Sequence, residues 1–241
     1  MRFATIALLL VVSQDVPAGQ VPRMKALGAN GEPIWISADS IALPNGDLNL
    51  SALNKYDART LGGYLKVTPE ADCIQIDAIF HDAPNVVAPD TLDETISRAG
   101  FIVEATVREL QPGFYEGVPG NLLDLQVTKT YHDVEASPRP AHLYLFFPVG
   151  DFKAGKYHFC KVDPGFPPLP GVGDHVYFFG VPPLGRDRDI LHVVHPGQVA
   201  VVPKASDHVV LAGALSDNWS GHSTTEVELR SRISRIANAI N

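Results

Sequence analysis

YHFCKVDPGFPPLPGVGDHVYFFG, residues 157–180, is the stretch on which the reading of the fold turns. Two runs rich in aromatic and β-branched residues, Tyr157–Cys160 and His175–Gly180, flank a loop carrying Pro164, Pro167, Pro168 and Pro170. Helix cannot be continued through such a loop, because proline lacks the N–H and its ring clashes with the preceding turn. The pattern is that of an antiparallel β domain, with Gly173-Asp174 turning the chain into the second run.

The same pattern extends outward in both directions. Phe101, Val103, Ala105 and Val107 alternate with polar residues, as do Leu123, Leu125 and Val127, and the Pro/Gly-rich segment 111–120 between them reads as a hairpin loop. Ala141–Phe147 and Val176–Phe179 are apolar on both faces, which predicts strands covered on both sides. Residues 73–80 alternate as one half-buried strand, and residues 190–202 supply a strand pair broken at Pro196-Gly197. About seven strands at this spacing suit a barrel or a sandwich. Residues 89–99 predict a short helix capped by Asp90 or Thr91. At the other end Ser223-Thr-Thr-Glu226 fits a capping box, followed by Leu229, Ile233, Ile236, Ala237 and Ile240 on one helical face. The expected fold is therefore mainly β: an OB-like antiparallel barrel, or a sandwich, with a short helix before it and a C-terminal amphipathic helix.

Of the 241 residues 45% are hydrophobic, enough for a sizeable core. The formal charge, 19 − 27 = −8, repels phosphate backbones and anionic lipid, so nucleic acid is not expected as a partner and membrane contact is disfavoured. The amino terminus has Arg2, the apolar run Ala4–Val12, and small residues Val16 and Ala18, the three regions of a secretory signal peptide cleaved before Gly19. Nine apolar residues span only ~14 Å as helix against a hydrocarbon core of ~30 Å, which argues against an uncleaved anchor. The expected organisation is a signal peptide over 1–18, an irregular extension over 19–70 with β-like pieces at residues 34–36 and 64–67, a β domain over 71–205, and a linker with the final helix over 206–241. The expected location is periplasmic or extracellular. There Cys73 and Cys160 either pair as a disulfide, closing a loop that stabilises by ~4 kcal/mol, or remain two buried thiols.

From Ser97 to Gly180 the layout resembles the netrin-like domain of tissue inhibitors of metalloproteinases. The residues that carry the resemblance are the strands Ala99–Val107 and Leu122–Val127 and the closing set Cys160, Gly173 and Tyr177-Phe-Phe-Gly180. It implies an OB-type barrel and a secreted habit. The inhibitors chelate the protease zinc through a cysteine at the mature amino terminus; here that position is Gly19, so protease inhibition is not implied.

Nine histidines raise the question of metal. In an extended segment the offset of three puts His192 and His195 on opposite faces, so they cannot share an ion. His158, Cys160 and His175 form a zinc or copper trio only if their two strands are neighbours, in competition with a disulfide at Cys160. Asn45, Asp47 and Asn49 alternate like calcium ligands, yet the sixth position is Leu50 and the twelfth Tyr56, so an Asn45-Gly46 turn is the better account. Ser220 in Asn218-Trp-Ser-Gly-His222 lacks the first glycine and the strand of a nucleophile elbow. No catalytic, cofactor or metal residues are assigned. Phe114 and Tyr115 of the hairpin loop, with Phe166 of the proline loop, either pack on the barrel or face a partner. The functional expectation is a non-enzymatic binding or interaction module whose partner is a protein or small ligand. Its alternatives are a hydrolase with dispersed residues and an envelope protein tethered by Arg230, Arg232 and Arg235.

Overall fold

The computed structural model describes residues 35–53, 55–67, 72–74, 91–134, 141–161, 166–180, 191–194, 197–211 and 224–240. The expected signal peptide, residues 75–80 of the expected strand, His195 and Ser220 lie outside these residues. Along the chain the elements are β1 (Trp35–Ser37), α1 (Ala38–Ile41), a 3-10 turn (Leu50–Ala52), α2 (Lys55–Val67), α3 (Leu92–Arg98), β2 (Phe101–Tyr115), β3 (Val118–Asp133), β4 (His142–Phe147), β5 (Gly150–Ala154), β6 (Tyr157–Lys161), β7 (His175–Gly180), β8 (Leu191–Val193), β9 (Val199–Val202), β10 (Val210–Leu211) and α4 (Glu226–Ile240). None of the described helices is long and apolar enough to cross a membrane.

The organising element is the hairpin β2–β3, whose strands of 15 and 16 residues are far longer than the usual five or six or so. It corrects the expected loop at 111–120: the ladder runs through both prolines, with Pro112 opposite Asn121 and Phe114 opposite Pro119, and turns only at Glu116-Gly117. Positive φ angles of 50° and 77° at those two residues match the twist of the flanking strands. Gly113 and Gly120, directly opposite each other, are what the neighbouring chain requires. A Cβ on Gly113 would overlap the Ile36 carbonyl of β1, and one on Gly120 the Phe147 carbonyl. Glycine here marks close backbone approach, not a loop.

One mixed sheet runs in the order β10-β9-β7-β2-β3-β4-β8, with β1 paired to the far end of β2. All its pairings are antiparallel except β4 with β8, and β5 and β6 form a separate two-stranded sheet. Three register shifts in the β2–β3 ladder bend the hairpin, as bulges do. The curl is large enough for His192 of the β8 edge to lie 5.1 Å from the Phe101 ring and 5.7 Å from the Phe178 ring, on β2 and β7. Among the described residues β8 and β10 do not pair, so the sheet curls around its core without closing as a barrel.

The concave face holds the main core, including Phe101, Val103, Leu123, Leu125, Leu145, Phe147, Val176, Phe178 and Val201. On the convex face α3 and α4 cover Ile102, Tyr177, Phe179, Ala200 and Val202 with Leu92, Ile96, Leu229 and Ile233. Both faces of β7 are thus buried, as its unbroken apolar run predicts. A third core joins α1, α2 and the β5–β6 sheet around Phe114, Phe152 and Phe159.

This third core corrects the expectation of an irregular extension over 19–70 in its described part, residues 35–53 and 55–67. Residues 64–67 are the last turn of α2, not a strand, and Gly62 lets the 3-10 turn approach, since a Cβ there would sit 3.1 Å from the Leu50 side chain. The predicted caps divide. Thr91 caps α3 as expected, its hydroxyl accepting from the Glu94 amide. For α4 the capping box lies two residues later than predicted: Thr225 accepts from the Glu228 amide at 3.3 Å, and the Glu228 carboxylate accepts from the Thr225 amide at 3.0 Å. That shift releases Glu226 for another role.

Candidate functional site

The densest set of polar side chains among the described residues lies where the first two turns of α4 cross the convex face of β2, β3 and β7. Strand alternation puts Glu104, Tyr131, His175 and Tyr177 on that face, and helical periodicity brings Glu226 and Arg230, four residues apart, over them. Glu226 Oε1 accepts from the Tyr177 hydroxyl at 2.8 Å, pairs with His175 Nδ1 at 2.9 Å and accepts from Arg230 Nη2 at 3.0 Å. Arg230 also donates through Nε to the Tyr177 hydroxyl and through Nη2 to Glu104 Oε1, both at 2.8 Å. Tyr131 completes the set by donating to Glu104 Oε2 at 2.8 Å, with the Lys129 ammonium 4.0 Å from its ring.

The electrostatics follow from this wiring. Burial, followed by the hydrogen bond to Glu226, pushes the Tyr177 hydroxyl far up, and burial with Glu104 does the same to Tyr131. Both stay protonated donors. Burial alone would raise the Glu226 carboxyl, but bonds from His175 and Tyr177 and the charge of Arg230 outweigh it and hold the carboxyl low. A folded-state value below the unfolded one contributes stability above the ordinary glutamate value of ~4.3, lost as pH falls through the folded value. Docking of α4 is therefore expected to loosen on acidification below pH ~4. Amide hydrogen exchange along α4 measures this, and Glu226→Gln is expected to flatten the acid dependence.

The residues singled out in the sequence fall in other places. Cys73 and Cys160 form a disulfide with 5.7 Å between Cα atoms, settling that alternative in favour of pairing. The proposed metal trio is thereby dismantled: Cys160 is oxidised, and His158 and His175 sit on strands of different sheets. Among the described residues no three His, Cys, Asp or Glu side chains converge as metal ligands. Phe114 is fully buried, edge-on to Phe159 with centroids 5.1 Å apart, so it has no surface to present. Tyr115 stacks on Phe146 at 5.1 Å, and Phe166 packs on the main core beside Phe147. The three aromatics do not share an edge. Asn45-Gly46 is a turn, closed by the Asn45 side chain accepting from the Asp47 amide at 3.0 Å. Of the three arginines offered as an envelope tether, Arg230 enters the polar cluster and Arg232 pairs with Asp93 of α3, while Arg235 is exposed.

The polar cluster is not among the residues the sequence singles out. Its one available signal was the spacing Glu226 to Arg230, which marks an i,i+4 pair but not what lies beneath it. No protein-family model matches the chain, and no curated protein matches it.

Proposed function

We propose that the chain is an exported, non-enzymatic interaction module that engages a protein or small ligand of the envelope or exterior. The observation that carries this reading is that the polar cluster is spent on internal contacts: Arg230 of α4 donates to Glu104 and Tyr177 of the sheet, His175 and Tyr177 of the sheet meet Glu226 Oε1 of α4, and Tyr131 and Arg230 take up both oxygens of Glu104. The disulfide fits an oxidising compartment. OB-type architecture is part of the proposal, supported by the curl that carries His192 across to Phe101 and Phe178.

Such a clamp provides a rigid scaffold for loops, which is where recognition is usually placed. At the end of the sheet that receives α4, the turn before β7 and the segment after β9 are joined by Lys204 N–H donating to Asp174 at 2.8 Å, and the Glu226 amide donates to the Asp207 carbonyl at 2.8 Å. Val172 on the turn before β7 and Val227 in the first turn of α4 are 64% and 74% exposed. Affinity capture from envelope and secreted extracts with the chain as bait is expected to retain a reproducible partner, lost with Val172→Asp plus Val227→Asp. Undiminished capture by that variant rejects this edge.

A hydrolytic reading has one arrangement in its favour, the Glu226 carboxylate orienting the half-exposed His175 ring as it would a general base. Hydrolysis of ester or peptide substrates that disappears with His175→Gln, in a variant that still folds, would favour it over the binding module.

A further inference from the structure

His158 stands on β6, two residues from Cys160, and its ring faces an acceptor on each side. Nδ1 lies 2.8 Å from the Asp72 carbonyl oxygen, and Nε2 lies 2.7 Å from Asp151 Oδ1 of β5. A backbone carbonyl and a carboxylate can only accept, so both ring nitrogens must donate, and only the imidazolium carries two N–H groups. The contrast is His142, whose Nδ1 faces the Asp124 carboxylate at 3.1 Å while its Nε2 faces an Arg108 N–H donor at 3.4 Å. There, one protonated and one bare nitrogen satisfy both partners. Among these paired histidines the geometry around His158 is the one that demands the cation.

What the ring holds is specific. Residues 72–74 lie along β6: the Ile74 amide donates to the His158 carbonyl at 2.8 Å, the Cys160 amide donates to the Ile74 carbonyl at 3.3 Å, and Cys73 is bonded to Cys160. Ile74 is buried in the third core. The charged groups acting on the ring are Asp151 and Lys153 from β5, Lys153 being directly opposite His158 in the ladder, while Asp72 of the pinned segment meets it through its backbone carbonyl.

We propose that His158 is a pH-operated pin whose doubly protonated ring holds residues 72–74, and with them the Cys73–Cys160 disulfide, against the β5–β6 hairpin, and whose deprotonation loosens that segment. The hydrogen bond to Asp151 and then that to the Asp72 carbonyl raise the imidazole above its ordinary value, against desolvation and the smaller opposing charge of Lys153. With a raised folded-state value the pin is fully engaged below pH ~6.5 and is lost as pH rises through the folded value. The fold would thus expose its disulfide to reductants in neutral-to-alkaline surroundings and guard it in acidic ones.

Two measurements on the full chain decide the matter. In nitrogen-15 imidazole spectra His158 is expected to keep both ring protons to a pH above the ordinary ~6.5. Loss of the proton at or below that value overturns the proposal, independently of any variant. The second measurement is the rate of disulfide reduction by tris(2-carboxyethyl)phosphine, normalised at each pH to that of a small-molecule disulfide. The normalised rate is expected to rise about fivefold across the His158 transition, the equivalent of one lost hydrogen bond. His158→Gln should be fast and pH-independent, and Asp151→Asn should move the step to lower pH. An identical step in His158→Gln overturns the proposal.

Discussion

Replacing both cysteines, Cys73→Ser with Cys160→Ser, is expected to cost about 4 kcal/mol of stability, the largest effect predicted for any change in this molecule. The sequence separation is 87 residues, and the cost in the chain-entropy model grows with the logarithm of the loop closed. The native contacts left to residues 72–74 are short: two backbone hydrogen bonds to β6, the Asp72 carbonyl on His158, and the buried Ile74 side chain. These suffice to place the segment but not to restrict the unfolded chain. The midpoint of urea unfolding should fall while circular dichroism of the folded state keeps its β signature, because the main core of β2, β3, β4, β7 and β9 does not include the bridge. A loss below about 1 kcal/mol would mean that the unfolded chain is already compact around residue 160, so that the bridge restricts little.

Much of the architecture was legible because burial writes itself into alternation. Phe101–Val107, Leu123–Val127 and Val176–Phe179 are strands in the sheet, and the faces assigned to them are the faces they bury. The final helix, with Leu229, Ile233 and Ala237 buried, was legible for the same reason. What failed was the reading of glycine and proline. In segment 111–120 they looked like a loop, yet Gly113 and Gly120 are small because β1 and the end of β4 press on them, a tertiary cause that no local pattern records. The local signal at 64–67 was equally misleading, since β-like residues there continue a helix that begins at Lys55. The polar cluster was least legible of all. Glu104, Tyr131, Tyr177 and Arg230 lie up to 126 positions apart; the pairing of β2 with β3 and β7 brings the first three together, and the crossing of α4 adds the fourth. Singly, each looked like an ordinary surface residue or a strand residue with a polar tip.

That crossing carries the second large prediction. Arg230→Met is expected to destabilise the protein by about 2 kcal/mol, because the guanidinium, itself 41% exposed, is the cation shared by Glu104 and Glu226, whose side chains are only 12% and 18% exposed. Removing it leaves Glu104 with only the Tyr131 hydroxyl and Glu226 with only Tyr177 and His175, and the cost of two mostly buried carboxylates without their shared cation exceeds the value of the bonds lost. Relief should come through α4, whose amides are expected to lose protection from hydrogen exchange before those of β2 and β7. The triple variant Glu104→Gln, Glu226→Gln, Arg230→Met discriminates the cause. With the anions gone as well, the cost should shrink to about 1 kcal/mol, since neutral amides can still meet the tyrosine hydroxyls. If the triple variant is as unstable as the single one, then α4 is held by the packing of the Arg230 stem against the sheet, not by the charges its head brings together.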